Sequence, residues 1–162
     1  MGRYVHRGHY GSGSDEIWAY LQATCPEGQV AQLVDGRMRA LAAPPARPTV
    51  YFMNTRAKHW TALGVDLSRR QYASIGARRL GTNFADWAAA SNLNLASLMD
   101  VSPVVGSQTE SECGARVAIF AEWFLNERAE DVRTRRPIPN FAERVDNLMA
   151  AWRAARNAAR NE

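Results

Sequence analysis

The spacing of apolar positions divides the chain into helical and extended stretches. Ser14-Asp15-Glu16 reads as a helix start, with a capping hydroxyl and two acids that meet the positive end of the helix dipole. Ile17, Tyr20 and Leu21 then form an apolar face with Trp18 beside it, and Pro26 stops the helix near Cys25. Val30, Leu33, Val34, Met38 and Leu41 also fall at helical spacing, which predicts a second helix over 28–42, weakened by Gly36. The proline-rich stretch 42–48 is a loop. Residues 49–53 are continuously apolar and short, which predicts a central strand. After a polar loop over 54–58, residues 59–67 read as a strand with His59 at its mouth. Residues 68–70 make a turn, and 71–75 are the hairpin partner. A helical region follows over 83–99, carrying Phe84, Trp87, Leu95 and Leu98 and breaking near 92–94. Residues 101–105 predict a short strand, with Pro103 placing it at an edge or an end. Val117, Ile119, Phe120, Trp123 and Phe124 give a broad apolar stripe, so a buried helix runs from Cys113 to about residue 129. Phe141, Val145, Leu148, Met149 and Trp152 are the buried face of a last helix starting near residue 140. Residues 1–13 have no period and are expected to be a flexible segment ahead of a single domain over 14–162.

Composition narrows the function classes. A chain of 162 residues is long enough to bury a proper core. The net charge is +4, but arginine is spread along the chain and gathers only at Arg153, Arg156 and Arg160. Without interleaved aromatics this reads as a solvated helix face, so no nucleic-acid partner is expected. No apolar run is long enough to span a membrane, and no membrane partner is expected. Cys25 and Cys113 do not make a disulfide framework, which points to a reducing place of action. His6 and His9 have no further ligands at useful spacing, and there is no glycine-rich phosphate loop; neither a metal nor another cofactor is expected.

The chemistry centres on Cys113 at the junction between a loop and the buried helix. A thiol there meets unpaired backbone N–H groups and the positive end of the dipole, both favourable to negative charge on sulfur. Gly114 leaves room for a substrate backbone beside the sulfur. Gln108 is an uncharged donor a few residues upstream, of the kind an oxyanion hole needs. With His59 as proton acceptor, these residues are the minimum set for a cysteine nucleophile. The competing reading is a buried structural cysteine opening a core helix, with His59 a satisfied polar residue.

Lys58-His59-Trp60, the strand ending Val65-Asp66-Leu67, Tyr72 with Ser74-Ile75-Gly76, and Gln108 followed by Cys113-Gly114 together resemble the ubiquitin-like-protein proteases related to the adenovirus proteinase. Those proteases usually carry His-Trp, a Tyr-Asp-Ser segment ending in Gly, and a Gln shortly before Asp-Cys-Gly. The resemblance extends over roughly residues 14–128 and includes the helix from Ser14 and the strand 49–53. It implies a papain-like α+β fold, a small central mixed sheet flanked by helices. Within it His59 is the general base, Cys113 the nucleophile and Gln108 the oxyanion-hole donor. Trp60 helps form a tunnel for a Gly-Gly tail, an aromatic clamp suited to residues without side chains. The implied activity is a thiol isopeptidase acting on conjugates of ubiquitin or a SUMO-like modifier, working as a monomer. Bacterial relatives are often effectors delivered into the cytoplasm or nucleus of a host cell, and the Ala/Arg bias fits a GC-rich bacterial genome.

The sequence departs from the pattern at Ala73, which stands where the acid orienting the histidine is expected. Alanine cannot accept the ring Nδ1–H bond, and loss of the acid costs orders of magnitude in rate. A weakened relative, a deliberate substitution, or another group such as Asp66 behind His59 each account for it. An inactive modifier-binding relative and an effector-type acetyltransferase are the alternative functions.

Overall fold

The computed structural model describes residues 13–34, 39–54, 59–76, 82–106, 112–128 and 134–161. The expected flexible segment, with His6 and His9, lies outside the described residues apart from its last position. Helix α1 (Gly13–Thr24) carries Asp15 and Glu16 in its first turn. It ends where Cys25 N–H bonds Leu21 O at 2.8 Å, one residue before Pro26.

Five strands follow the chain order in one mixed sheet: β1 (Gln29–Val34), β2 (Thr49–Asn54), β3 (Trp60–Asp66), β4 (Gln71–Ile75) and β5 (Met99–Asp100). The central pairs β2–β3 and β3–β4 are antiparallel, and the outer pairs β1–β2 and β4–β5 are parallel. Both faces of the sheet are buried. Val30, Val50, Phe52, Trp60, Ala62, Ala73 and Ile75 look towards one side. Ala31, Leu33, Tyr51, Met53, Leu63 and Val65 look towards the other. This strict alternation is the period of two that an extended chain imposes.

Strand β1 corrects the expected helix over 28–42. Val30 and Leu33 fit a helical stripe, but Val30 packs on one face of the sheet and Ala31 and Leu33 on the other. Parallel pairing, register Val30↔Val50, gives the backbone its partners. The expected strand over 101–105 is also displaced. β5 ends at Asp100, and only Val101 N–H continues onto β4, bonding Tyr72 O at 2.9 Å. Beyond it the Ser102 hydroxyl takes the place of a backbone acceptor, receiving Ser74 N–H at 2.9 Å, and Pro103 has no N–H to donate.

Helix α2 (Thr82–Ala90), followed by a 3₁₀ turn at Leu95–Ser97, covers the second face through Trp87, Ala88 and Leu93. The other face is covered by helix α3 (Cys113–Glu122), which is buried almost all round and packs on β3, β4, α1 and helix α4 (Phe141–Arg160). At its end α3 loosens into a single π turn over Trp123–Glu127, closed by Arg128 N–H on Trp123 O at 2.7 Å. Helix α4 buries Val145 and Leu148, with Phe141, Met149 and Trp152 packed at the margin. Arg153, Arg156 and Arg160 are exposed as a solvated face, with Arg156 paired to Glu16 of α1, whereas Arg144 is half-buried and pairs with Glu122 and Glu127. No described helix is long and apolar enough to cross a membrane.

Candidate functional site

The site lies where the start of β3 meets the start of α3. Cys113 opens α3 directly from Glu112, whose side chain makes no capping bond. The sulfur is therefore close to the helix N-terminus, where backbone N–H groups lack intrahelical partners. The Trp60 backbone N–H donates to Cys113 Sγ at 3.4 Å, although 53 residues separate them in the chain. This contact brings the His59-Trp60 pair and the Cys113-Gly114 pair to one place. Cys113 is 3% exposed.

The two flanking residues have packing roles. Trp60 is 5% exposed, with its ring tilted against Phe52 at 5.8 Å between centroids. It is a wall of the site and not a lid standing clear of it. Gly114 lies against that wall: a Cβ there would stand 3.4 Å from Trp60 Cδ1 and 3.6 Å from Ile17 Cδ1. Gln108, the expected oxyanion-hole donor, lies outside the described residues. Arg116, one turn along α3 from Cys113, is 7% exposed and donates from Nη2 to Gly106 O at 2.7 Å. It ties the segment leading towards position 108 to the helix that carries the thiol. Burial lowers the pKa of Arg116, and Glu112 and Cys113 oppose that shift. The sequence reading did not single out Arg116, because nothing in its residue type separates it from the many arginines on the surface.

The neighbour of His59 differs from the expectation. Nε2 of the ring is in hydrogen-bond contact with the backbone carbonyl oxygen of Gly76, the residue directly after β4. The position that meets the histidine is thus Gly76 and not Ala73. Ala73 pairs with Gly64, deep in β4, and is fully buried on the apolar face. Two-residue alternation turns its Cβ into the core.

Asp66 is also ruled out as the group behind His59. It ends β3, six residues beyond Trp60, a rise of about 20 Å along the strand. Its carboxylate is taken up by Arg128 Nη2 at 2.6 Å, Ser68 Oγ at 2.7 Å and Arg69 N–H at 3.2 Å. Burial alone would raise its pKa, but these bonds outweigh burial and hold it below the ordinary carboxylate range.

Cys25 fits the structural role read for it. It is 2% exposed, contacts Thr24 and Asn126, and burial pushes its pKa up. Among the described residues, no group of His, Cys, Asp and Glu is placed to hold a metal ion. Comparison of the chain with protein-family models, curated proteins and solved structures gives no match.

Proposed function

We propose that the chain is a cysteine-type isopeptidase of papain-like architecture that cleaves after the Gly-Gly tail of ubiquitin or a SUMO-like modifier. The observation that carries this reading is the 3.4 Å contact between Trp60 N–H and Cys113 Sγ. It joins the two halves of the motif resemblance at one point. In this reading His59 takes the thiol proton and Cys113 attacks the tail carbonyl. The protonated histidine releases the lysine amine, and water hydrolyses the acyl-enzyme. Gly114 keeps the approach to sulfur open on the side of Trp60, and the substrate's flat glycines suit that approach.

Ubiquitin and SUMO derivatives ending in a thiol-reactive warhead test the proposal. One of the two is expected to add covalently, with the adduct absent in Cys113→Ala. The adduct should form about a hundredfold more slowly in His59→Asn, the scale of a lost general base. A folded chain that takes neither modifier overturns the reading.

One observation favours a second reading, a domain that holds a modifier without cleaving it. The group that meets His59 Nε2 is a backbone carbonyl, which brings a dipole in place of a full charge. Saturable binding of unmodified ubiquitin or SUMO without warhead addition would select that reading.

A further inference from the structure

We propose that the Gly76 backbone carbonyl orients the ring of His59, holding the neutral imidazole as its Nε2–H tautomer. The inference rests on the thiol-isopeptidase reading above and deepens it. A carbonyl oxygen has no hydrogen and can only accept, so the ring nitrogen bonded to it carries the proton. Neutral imidazole has one N–H, and the lone pair therefore resides on Nδ1. Nδ1 is then the nitrogen that acts as base. The Cys113 S–H bond breaks, an Nδ1–H bond forms, and a thiolate–imidazolium pair results. Sulfur then adds to the substrate carbonyl carbon, and the Nδ1 proton passes to the amine as the C–N bond breaks.

The backbone around Gly76 is built for this contact. Strand β4 pairs with β3 up to Ile75, opposite Ala62, and Gly76 turns away with φ +94°. A Cβ at this position would stand 2.6 Å from Trp60 O and 3.0 Å from Thr61 Cα. Only glycine lets the chain pass this close to the residue after His59 in that conformation. The two positions weighed from the sequence lie elsewhere: Ala73 is an apolar core residue, and Asp66 is bonded to Arg128 at the far end of β3. A carbonyl fixes the ring as an acid does, but it contributes a dipole in place of a full charge, so it stabilises the imidazolium less.

The test reads the tautomer directly, on the full chain labelled with ¹⁵N-histidine. Long-range proton–nitrogen spectra assign His59 by its loss in His59→Asn. The expected result is a protonated Nε2 and an unprotonated Nδ1 in the neutral ring. A protonated Nδ1, or two nitrogens averaged by exchange, overturns the proposal. In Gly76→Ala the added Cβ must displace the backbone, so the fixed tautomer should be lost and warhead addition slowed about tenfold or more. A folded Gly76→Ala chain with an unchanged tautomer also overturns it. Where that variant does not fold, the spectrum of the unsubstituted chain decides. No substrate is needed for the tautomer, so failure of the isopeptidase reading shows in the warhead assay and failure of this one in the spectrum.

Discussion

A carboxylate placed at position 73 would enter the apolar face of the sheet, in the cluster that holds Phe52, Trp60 and Phe120. It would have no partner there and would not reach His59, whose contact is three residues further on. Ala73→Asp is therefore expected to lower stability by at least ~3 kcal/mol, read by urea denaturation, without any gain in warhead addition. A faster reaction in that variant would restore position 73 as the site of the acid. Gly114 gives the opposite separation of fold from function. A methyl group there meets Trp60 Cδ1 at 3.4 Å and Ile17 Cδ1 at 3.6 Å, ordinary contacts that the core accommodates. Gly114→Ala should change stability by no more than about 0.5 kcal/mol. In the isopeptidase reading proposed above, a substrate backbone passes beside Gly114, and warhead addition is expected to slow about tenfold. His59, Cys113 and the glycine after it were legible as residue types because side-chain chemistry identifies them. The carbonyl that meets His59 Nε2 was not, because a backbone carbonyl occurs at every position and only the path of β4 selects the one at Gly76.

Between elements, a buried polar link runs from the end of β3 to the chain leaving α3. Arg128, itself 7% exposed, bonds Asp66 and Gln71 and lies 4.4 Å from the centre of the Phe124 ring. Removing one partner leaves the other buried and uncompensated, so Asp66→Asn should cost about 3 kcal/mol at neutral pH. The pH dependence follows from the sign of the shift. The folded pKa of Asp66 lies below its unfolded value. Its contribution is therefore complete above about pH 4 and is lost as the pH falls through the folded value. Thermal melts of the two proteins between pH 6 and pH 3 should converge on the acid side; parallel curves would show that the ionised form of Asp66 does not support the fold. The hairpin β3–β4 was readable from two extended runs around a polar turn. The strand β1 was not: Val30, Leu33 and Val34 are spaced as well for a helix as for a strand. In Gln29-Val30-Ala31-Gln32-Leu33-Val34 the apolar positions come in adjacent pairs, which fixes neither period. The π turn at Trp123–Glu127 was equally silent, because the apolar stripe continues through it.

At the scale of the molecule, α3 is the common neighbour of β3, β4, α1 and α4, and its first residue is the proposed nucleophile. The α+β class and the flanked mixed sheet were legible because the runs 49–53, 59–67 and 71–75 alternate with clear helical stripes. The outermost pairings were not, because parallel partners lie far apart in the sequence and no turn residue announces them. The arrangement seals both cysteines, Cys25 at 2% and Cys113 at 3% exposure, at opposite ends of one layer. They are consequently two clocks running on different motions. Cys113 becomes available to a small alkylating reagent when the mouth between β3 and α3 opens, whereas Cys25 is locked between α1 and the π turn through Asn126. Burial also holds the Cys25 thiol in its less reactive protonated form. Native-state alkylation followed by mass spectrometry is expected to show two phases, Cys113 first. Only the slower phase should track global stability as urea is added, with the faster one reporting how often the cleft between β3 and α3 opens.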